Sequence, residues 1–441
     1  MTDGIFFEDE MGRGGLRLLR RLAERGYAAY FVGGCVRDAL LGRPVKDIDI
    51  ATAAKPDTVL ELFPEAIPTG LKHGTVTVPL GSWHYEVTTF RAESDYSDGR
   101  HPDSVSFLDD VEGDLERRDF TVNAMAVDAE GRLVDPFGGR RDLEAKRLRA
   151  VGDPAARFGE DALRMLRFVR FAAEYGFAAD EPTWAEAKLG APGLAVVAME
   201  RVAAELSRMI GGSDPYRALA LLRESELLRW TKERLRLPRA LGLANDDGAD
   251  SAAPSAEDPL RRLAEVGDEL ARWALWFDRM ELGPDEAEGV CRALRTSGAF
   301  EGALRRTLAF HAALRGAPTE LARRAWIGAA LRQGEEAARR WLTLEPAYRG
   351  LPAFDWTAPY FDAGAAWLDE MPAKTLKELA IGGADVLAAA GGRRGGPWTA
   401  DLLGRLLEEA ALGELANERE ALLTRVRSLL PQYGAGNGGD D

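Results

Sequence analysis

The chain has 441 residues, a net charge of −15 and 46% hydrophobic side chains. That length exceeds what one core organises and predicts roughly two to four folding units. No apolar run reaches the roughly 18 residues that would mark a membrane span, and the acidity argues against indiscriminate nucleic-acid binding. Cys35 and Cys291 lie far apart and offer no metal spacing, so they read as reduced thiols of a cytoplasmic protein. The opening MTDGIFFEDEMGRGG lacks the basic and apolar regions of a secretory signal.

Strand-like segments alternate with helical ones up to about residue 150. Ala28–Val32 predicts a buried strand ending at Gly33 and Gly34, where backbone N–H groups approach a triphosphate without a Cβ in the way. Val36–Leu41 predicts a helix opening, with Arg37 in its first turn to meet phosphate oxygens. Asp47-Ile48-Asp49-Ile50 alternates acid and aliphatic, which on a strand puts both carboxylates on one face. Alone, Asp-x-Asp is also the pattern of a solvated edge strand. After Gly-Gly-x-x-Arg-Asp it reads as a site for Mg²⁺, held by Asp47 and Asp49.

Thr75–Pro79, His84–Arg91 and Met125–Asp128 complete the candidate strands. His73 stands in a glycine-flanked loop, where a bond to backbone competes with any catalytic role. Glu86, on the alternating strand, is either a third acid beside Asp47 and Asp49 or an exposed strand glutamate. SDYSDGRHP (94–102) predicts a flexible loop near the site. In RRDFTVNA (117–124), Arg118 and Asn123 suit triphosphate and ribose contacts.

Beyond Pro154 the periodicity is helical, which makes the fold class α+β: a small mixed sheet followed by all-helical units. Arg157–Phe171 predicts one helix with Asp161 and Arg164 three residues apart on one face. Such a pair offers an acceptor beside a donor. Cytosine and adenine each present an amino group next to a ring-nitrogen acceptor, whereas uracil and guanine invert that order. The same pair also forms an ordinary helical salt bridge. Arg167 and Arg170 continue the spacing and would extend the face toward phosphates. Ala244–Asp258 is small and acidic and reads as a mobile linker. Between Cys291 and Gly350 eleven arginines stand against five glutamates, either a phosphate-tracking stripe or a solvated face.

Taken together, GGCVRD (33–38), DID (47–49), RRDFTVNA, EDALR (160–164) and ERVAAEL (200–206) resemble the class II, bacterial-type CCA-adding enzymes, the tRNA nucleotidyltransferases of the poly(A) polymerase family. IGGADVL (381–387), GPW (396–398) and LGELAN (412–417) add a weaker likeness. The resemblance implies a catalytic head (1–150), a base-reading neck (151–213), a body (214–318) carrying the acidic segment 244–258, a tRNA-binding tail (319–434) and a frayed end (435–441). It implies metals on Asp47 and Asp49, nucleotide contacts from Gly34, Arg37 and Arg118, and base reading by Asp161 and Arg164 with Arg167 and Arg170 close by. ERVAAEL would buttress the neck. The implied partners are CTP, ATP and the acceptor and T arms of tRNA, with no membrane, and with a homodimer standing beside a monomer. The region TGLKHGTVTV (69–78) departs from the basic signature of poly(A) polymerases. An A-adding specialist, a poly(A) polymerase and a non-catalytic tRNA binder remain as alternatives.

Overall fold

Segments rich in β-branched and aromatic residues assemble one mixed sheet in this computed structural model, which describes residues 9–94, 104–238, 241–243 and 258–433. Its strands are β1 (Ala29–Val32), β2 (Asp49–Thr52), β3 (Ile67–Gly70), β4 (Thr75–Leu80) and β5 (Trp83–Thr89). Arg91–Ser94 (β6) and Ser104–Phe107 (β7) form a separate antiparallel pair, and Ala126–Val127 (β8) and Leu133–Val134 (β9) complete the main sheet. The order is β3-β4-β5-β2-β1-β8-β9. All its pairings are antiparallel except β2 with β5, which is parallel and sets Asp49 opposite Glu86.

The helix Glu10–Ala23 lies against this sheet through Leu18, Leu19 and Leu22. Two glycines permit the approach. A Cβ on Gly15 would stand 2.7 Å from the Phe31 ring, and one on Gly14 would collide with the Tyr85 hydroxyl. That hydroxyl donates to the Met11 carbonyl at 2.7 Å, so the contact joins helix and sheet by a polar bond as well as by packing.

Two local expectations change. β2 begins at Asp49, with Asp47 in the lead-in, yet the alternation survives because Ile48 and Ile50 are buried while Asp47 and Asp49 are exposed. The predicted helix 157–171 is two helices, Pro154–Glu160 and Leu163–Glu174. Asp161 separates them with extended backbone (φ −145°, ψ 101°), and its carboxylate accepts from Leu163 N at 3.1 Å. Aspartate favours such local bonds over helix continuation. The loop 94–102 (beyond Ser94), the acidic segment 244–258 (before Asp258) and the end 435–441 lie outside the described residues.

The chain divides into two compact units, residues 1–235 and 236–441. The second is helical, with Trp273, Trp276, Trp326, Trp341, Tyr348 and Tyr360 among its largest fully buried side chains. Most of the arginine-rich stretch is spent inside this unit: Arg315 meets Asp278, Arg324 meets Glu414, Arg339 meets Asp369 and Arg349 meets Asp362. Among the described residues no helix is long and apolar enough to cross a membrane.

His311 is buried in this aromatic core. Trp341 Nε1–H donates to its Nδ1 at 3.0 Å, and its Nε2 stands 3.0 Å from Arg315 Nη2 and 3.5 Å from Asp278 Oδ1. Burial pulls its pKa down to about 4. Above pH 6.5 the ring is neutral in the folded and unfolded states alike. Below that the unfolded chain binds a proton that the folded core refuses, so stability falls between pH 6.5 and about 4. Between pH 7 and 5 the loss from this group should be about 2 kcal/mol. His311→Asn, which keeps an acceptor for Trp341, should flatten that slope in urea unfolding followed by tryptophan fluorescence. An unchanged slope would mean another group carries it.

Candidate active site

Gly33 ends β1 with φ +73° and ψ −126° and turns the chain into the helix Gly34–Leu40. A Cβ there would stand 2.6 Å from Arg118 Nη1, so glycine is required by backbone and by space. Gly34 is less constrained, since its Cβ would meet only Arg37 at 3.6 Å. Arg118 donates to Asp114 at 3.3 Å, and its buried Nε finds no partner among the described residues.

Arg37 is committed differently from the expectation. It is the fourth helical residue, 6% exposed, and donates to Asp38 (3.0 and 2.9 Å) and to Asn123 Oδ1 (2.5 Å). Its guanidinium also lies 4.4 Å from the Tyr175 ring centroid. Most of its donors thus hold protein together, leaving few for phosphate.

Asp47 and Asp49 line the same cleft as Gly33, Gly34 and Arg118. The Asp49 carboxyl is pushed up to about 6, first by lost hydration at the cleft floor, then by the charges of Asp47 and Glu86, with Arg118 opposing. Clustered carboxylates that resist ionising together are the donor set a divalent cation relieves. Among the described residues no three His, Cys, Asp or Glu side chains form a closed metal cage. Two carboxylates completed by substrate phosphates suit Mg²⁺, which keeps much of its shell for water and phosphate. Glu86 is exposed across from Asp49 and does not line the cleft. The main-chain carbonyl of His73 accepts from Arg91.

Facing this corner is the base of the helix Leu163–Glu174. Asp161 and Arg164 both line the cleft but do not pair with one another. Arg164 donates to Glu160 and to the carbonyls of Arg157 (3.1 Å) and Arg117 (3.0 Å). Asp161 accepts from both terminal nitrogens of Arg201, at 3.2 and 2.7 Å. Arg167 and Arg170 line the cleft as well, with some of their donors already engaged. Arg167 Nε donates to Asp119 at 2.8 Å, while Arg170 binds Glu205 at 2.7 Å and Glu174 at 3.1 Å.

The whole cleft has a volume of about 830 Å³ and is built from residues 33–208. Every sequence-predicted site residue except Glu86 lines it. Missed at the sequence level are Asp119, Tyr175, Arg201 and Glu205, all of which line it too. Asp119 was legible as the centre of RRDFTVNA, and Arg201 and Glu205 lie in ERVAAEL. Burial alone would raise the Asp119 carboxyl, but the Arg167 charge and the bond from Asn123 outweigh it and hold it at about 2. Gly33→Ala should cost about 1–2 kcal/mol of stability through its φ, and weaken nucleoside triphosphate binding at least tenfold by displacing Arg118. Thermal unfolding beside calorimetric titration separates the two effects, and unchanged binding would remove Arg118 from the phosphate corner.

Residues 29–149 match the Poly A polymerase head domain family, 176–234 an RNA- and SrmB-binding site of polymerase A, and 265–426 tRNA nucleotidyltransferase domain 2. The chain is 38% identical to the CCA-adding enzyme of Geobacillus stearothermophilus over 412 residues, covering 92% of this chain and 94% of the relative. It is 39% identical to that of Geobacillus thermodenitrificans over 410 residues, with the same coverage of both. Its fold matches the crystal structure of the Bacillus stearothermophilus CCA-adding enzyme in complex with CTP at a TM-score of 0.79, with 33% identity, 96% of this chain and 99% of that one. The Thermotoga maritima CCA-adding enzyme complexed with tRNA shares the fold at a TM-score of 0.62 and 20% identity, over 96% of each chain. Glycine corner, paired carboxylates and arginine-rich helix therefore stand in a chain that belongs to the family of CCA-adding enzymes, the tRNA nucleotidyltransferases.

Proposed function

We propose that this chain adds and repairs the 3′-terminal CCA of tRNA, taking CTP and ATP as substrates and releasing pyrophosphate, in the cytoplasm. One observation carries the reading: a single cleft collects an acid pair, an arginine at a glycine turn, and a separate acceptor and donor across from them. Those are the parts a template-independent nucleotidyl transfer needs.

In this reading Arg118 and the backbone at Gly33 and Gly34 orient the triphosphate, and Arg37 and Asn123 hold that corner in shape. Asp47 and Asp49 would hold Mg²⁺, which supplies activation of the primer 3′-hydroxyl and neutralises the leaving pyrophosphate. Glu86 adds negative charge behind Asp49. Asp161 accepts from the amino group of cytosine or adenine, and Arg164 donates to the adjoining ring nitrogen through donors not bonded to Glu160 and the backbone. A uracil or guanine would set a carbonyl against the carboxylate, a mismatch worth about 10²-fold or more. Arg167 and Arg170 act as supports for that helix. Neck (151–213), body (214–318) and tail (319–434) would grip the acceptor and T arms by shape and phosphate contact.

Asp47→Ala should abolish addition, a loss of 10³-fold or more by order of magnitude, while tRNA affinity by filter binding stays near the parent value. Addition at the parent rate would remove the metal assignment. Asp161→Ala should lower selectivity for CTP over UTP more than it weakens tRNA binding. The reaction itself is read on three tRNA transcripts, ending before CCA, after C and after CC, in single turnover with Mg²⁺ and CTP, ATP or both. Completion of all three to CCA and no further is the expected result. Extension of the CC-ending transcript alone would make this an A-adding enzyme, and a long homopolymer a poly(A) polymerase.

A further inference from the structure

A carboxylate can discriminate between bases only if it is held in one orientation with an acceptor position left open. Asp161 separates the helices Pro154–Glu160 and Leu163–Glu174, and Arg164 follows it by only three residues, close enough in the chain for the two to pair. Such a pair would satisfy both side chains and leave neither for a base. That pairing is absent. Glu160 takes Arg164, and Arg201, forty positions along the chain, takes Asp161.

Arg201 sits near the start of the helix Met199–Ile210, its N–H bonded to the Ala198 carbonyl at 3.0 Å. Its bidentate fork fixes the plane of the Asp161 carboxylate. The bonds divide unevenly between the two oxygens. Among the described residues Oδ1 accepts from Leu163 N and from Arg201 Nη1, whereas Oδ2 accepts only from Arg201 Nη2. Oδ2 therefore keeps a lone pair for one further donor. The side chains of Asp161 and Arg201 are 16% and 22% exposed, and both line the cleft. Glu205, one turn further along the Arg201 helix, is occupied by Arg170 and Arg208.

We propose that Arg201 is a specificity-determining positioning residue, which clamps Asp161 away from Arg164 so that one carboxylate oxygen remains open to the amino group of cytosine or adenine. This rests on the base-reading role given to Asp161 above. It also moves ERVAAEL from a buttress to part of the selection apparatus. Without the clamp, Asp161 turns toward Arg164, and acceptor and donor are lost together.

The test is single-turnover incorporation of CTP and of UTP by the full chain on tRNA ending before CCA, comparing parent, Asp161→Ala, Arg201→Gln and the double variant. Arg201→Gln is expected to lower the CTP-to-UTP ratio of kcat/KM at least tenfold, and to add nothing in the Asp161→Ala background, because the two act as one unit. Arg201→Lys keeps the charge but not the fork, and should fall between parent and Arg201→Gln. It also carries the comparison if the glutamine variant does not fold. A merely structural role would lower rates for both nucleotides and leave their ratio intact. If Asp161→Ala loses selectivity while both Arg201 variants keep it, the clamp is refuted and the base reading stands. Independent, additive losses of selectivity would refute the clamp as well. If Asp161→Ala keeps the parental ratio, the base reading fails and the clamp with it.

Discussion

The geometry of the site depends on one buried carboxylate, that of Asp119. It accepts from the Phe120 backbone at 2.8 Å, from Asn123 at 3.0 Å and from Arg167 at 2.8 Å. Asn123 in turn receives Arg37, which follows the glycine corner, while Arg167 belongs to the helix that opens with Arg164. A single anion thus ties the glycine corner to the helix that opens with Arg164. Buried and held low by those donors, it is a fixed charge throughout the neutral range. Removing one partner would leave the other charge desolvated, which is why such networks are all-or-none.

Around that tie, charge is organised by proximity rather than by total. The protein carries −15 overall, yet the cleft gathers Arg37, Arg117, Arg118, Arg164 and Arg201. Most of these are already paired, so the cleft is a lattice of ion pairs with a few donors left over. Among the described residues Arg118 Nε has no partner, and one oxygen of Asp161 accepts a single bond. In the second unit the same rule works the other way. An arginine-rich stretch that suggested a phosphate track is largely consumed by Asp278, Glu414, Asp369 and Asp362.

Much of the site was legible from short spacings. Gly33 was expected to admit a close approach, and its φ and its contact with Arg118 give the reason. Asp47 and Asp49 were expected to share a face, and they do, although only Asp49 lies within the strand. The helix 157–171 was misjudged because periodicity does not register an aspartate that prefers to bond its neighbour's N–H, as Asp161 does with Leu163. β8 falls within the expected strand Met125–Asp128, whereas β3 and β9 went unread because Ile67-Pro-Thr-Gly and a two-residue strand carry too little pattern of their own. They exist because the sheet offers them partners.

What the sequence determined alone was everything governed by neighbours within a few residues: the alternation that buries Ile48 and Ile50, the glycine that ends β1, the α+β order, and the motifs that mark the family. What only tertiary structure decided was the partner of each charged side chain. Arg164 was free on paper to meet Asp161 and instead holds Glu160, while Asp161 is taken by Arg201 from another helix. The physical reason is that hydrophobic periodicity is a property of the local backbone. Ion pairing follows distance and desolvation in space, and those are set only when helices remote in sequence are packed together.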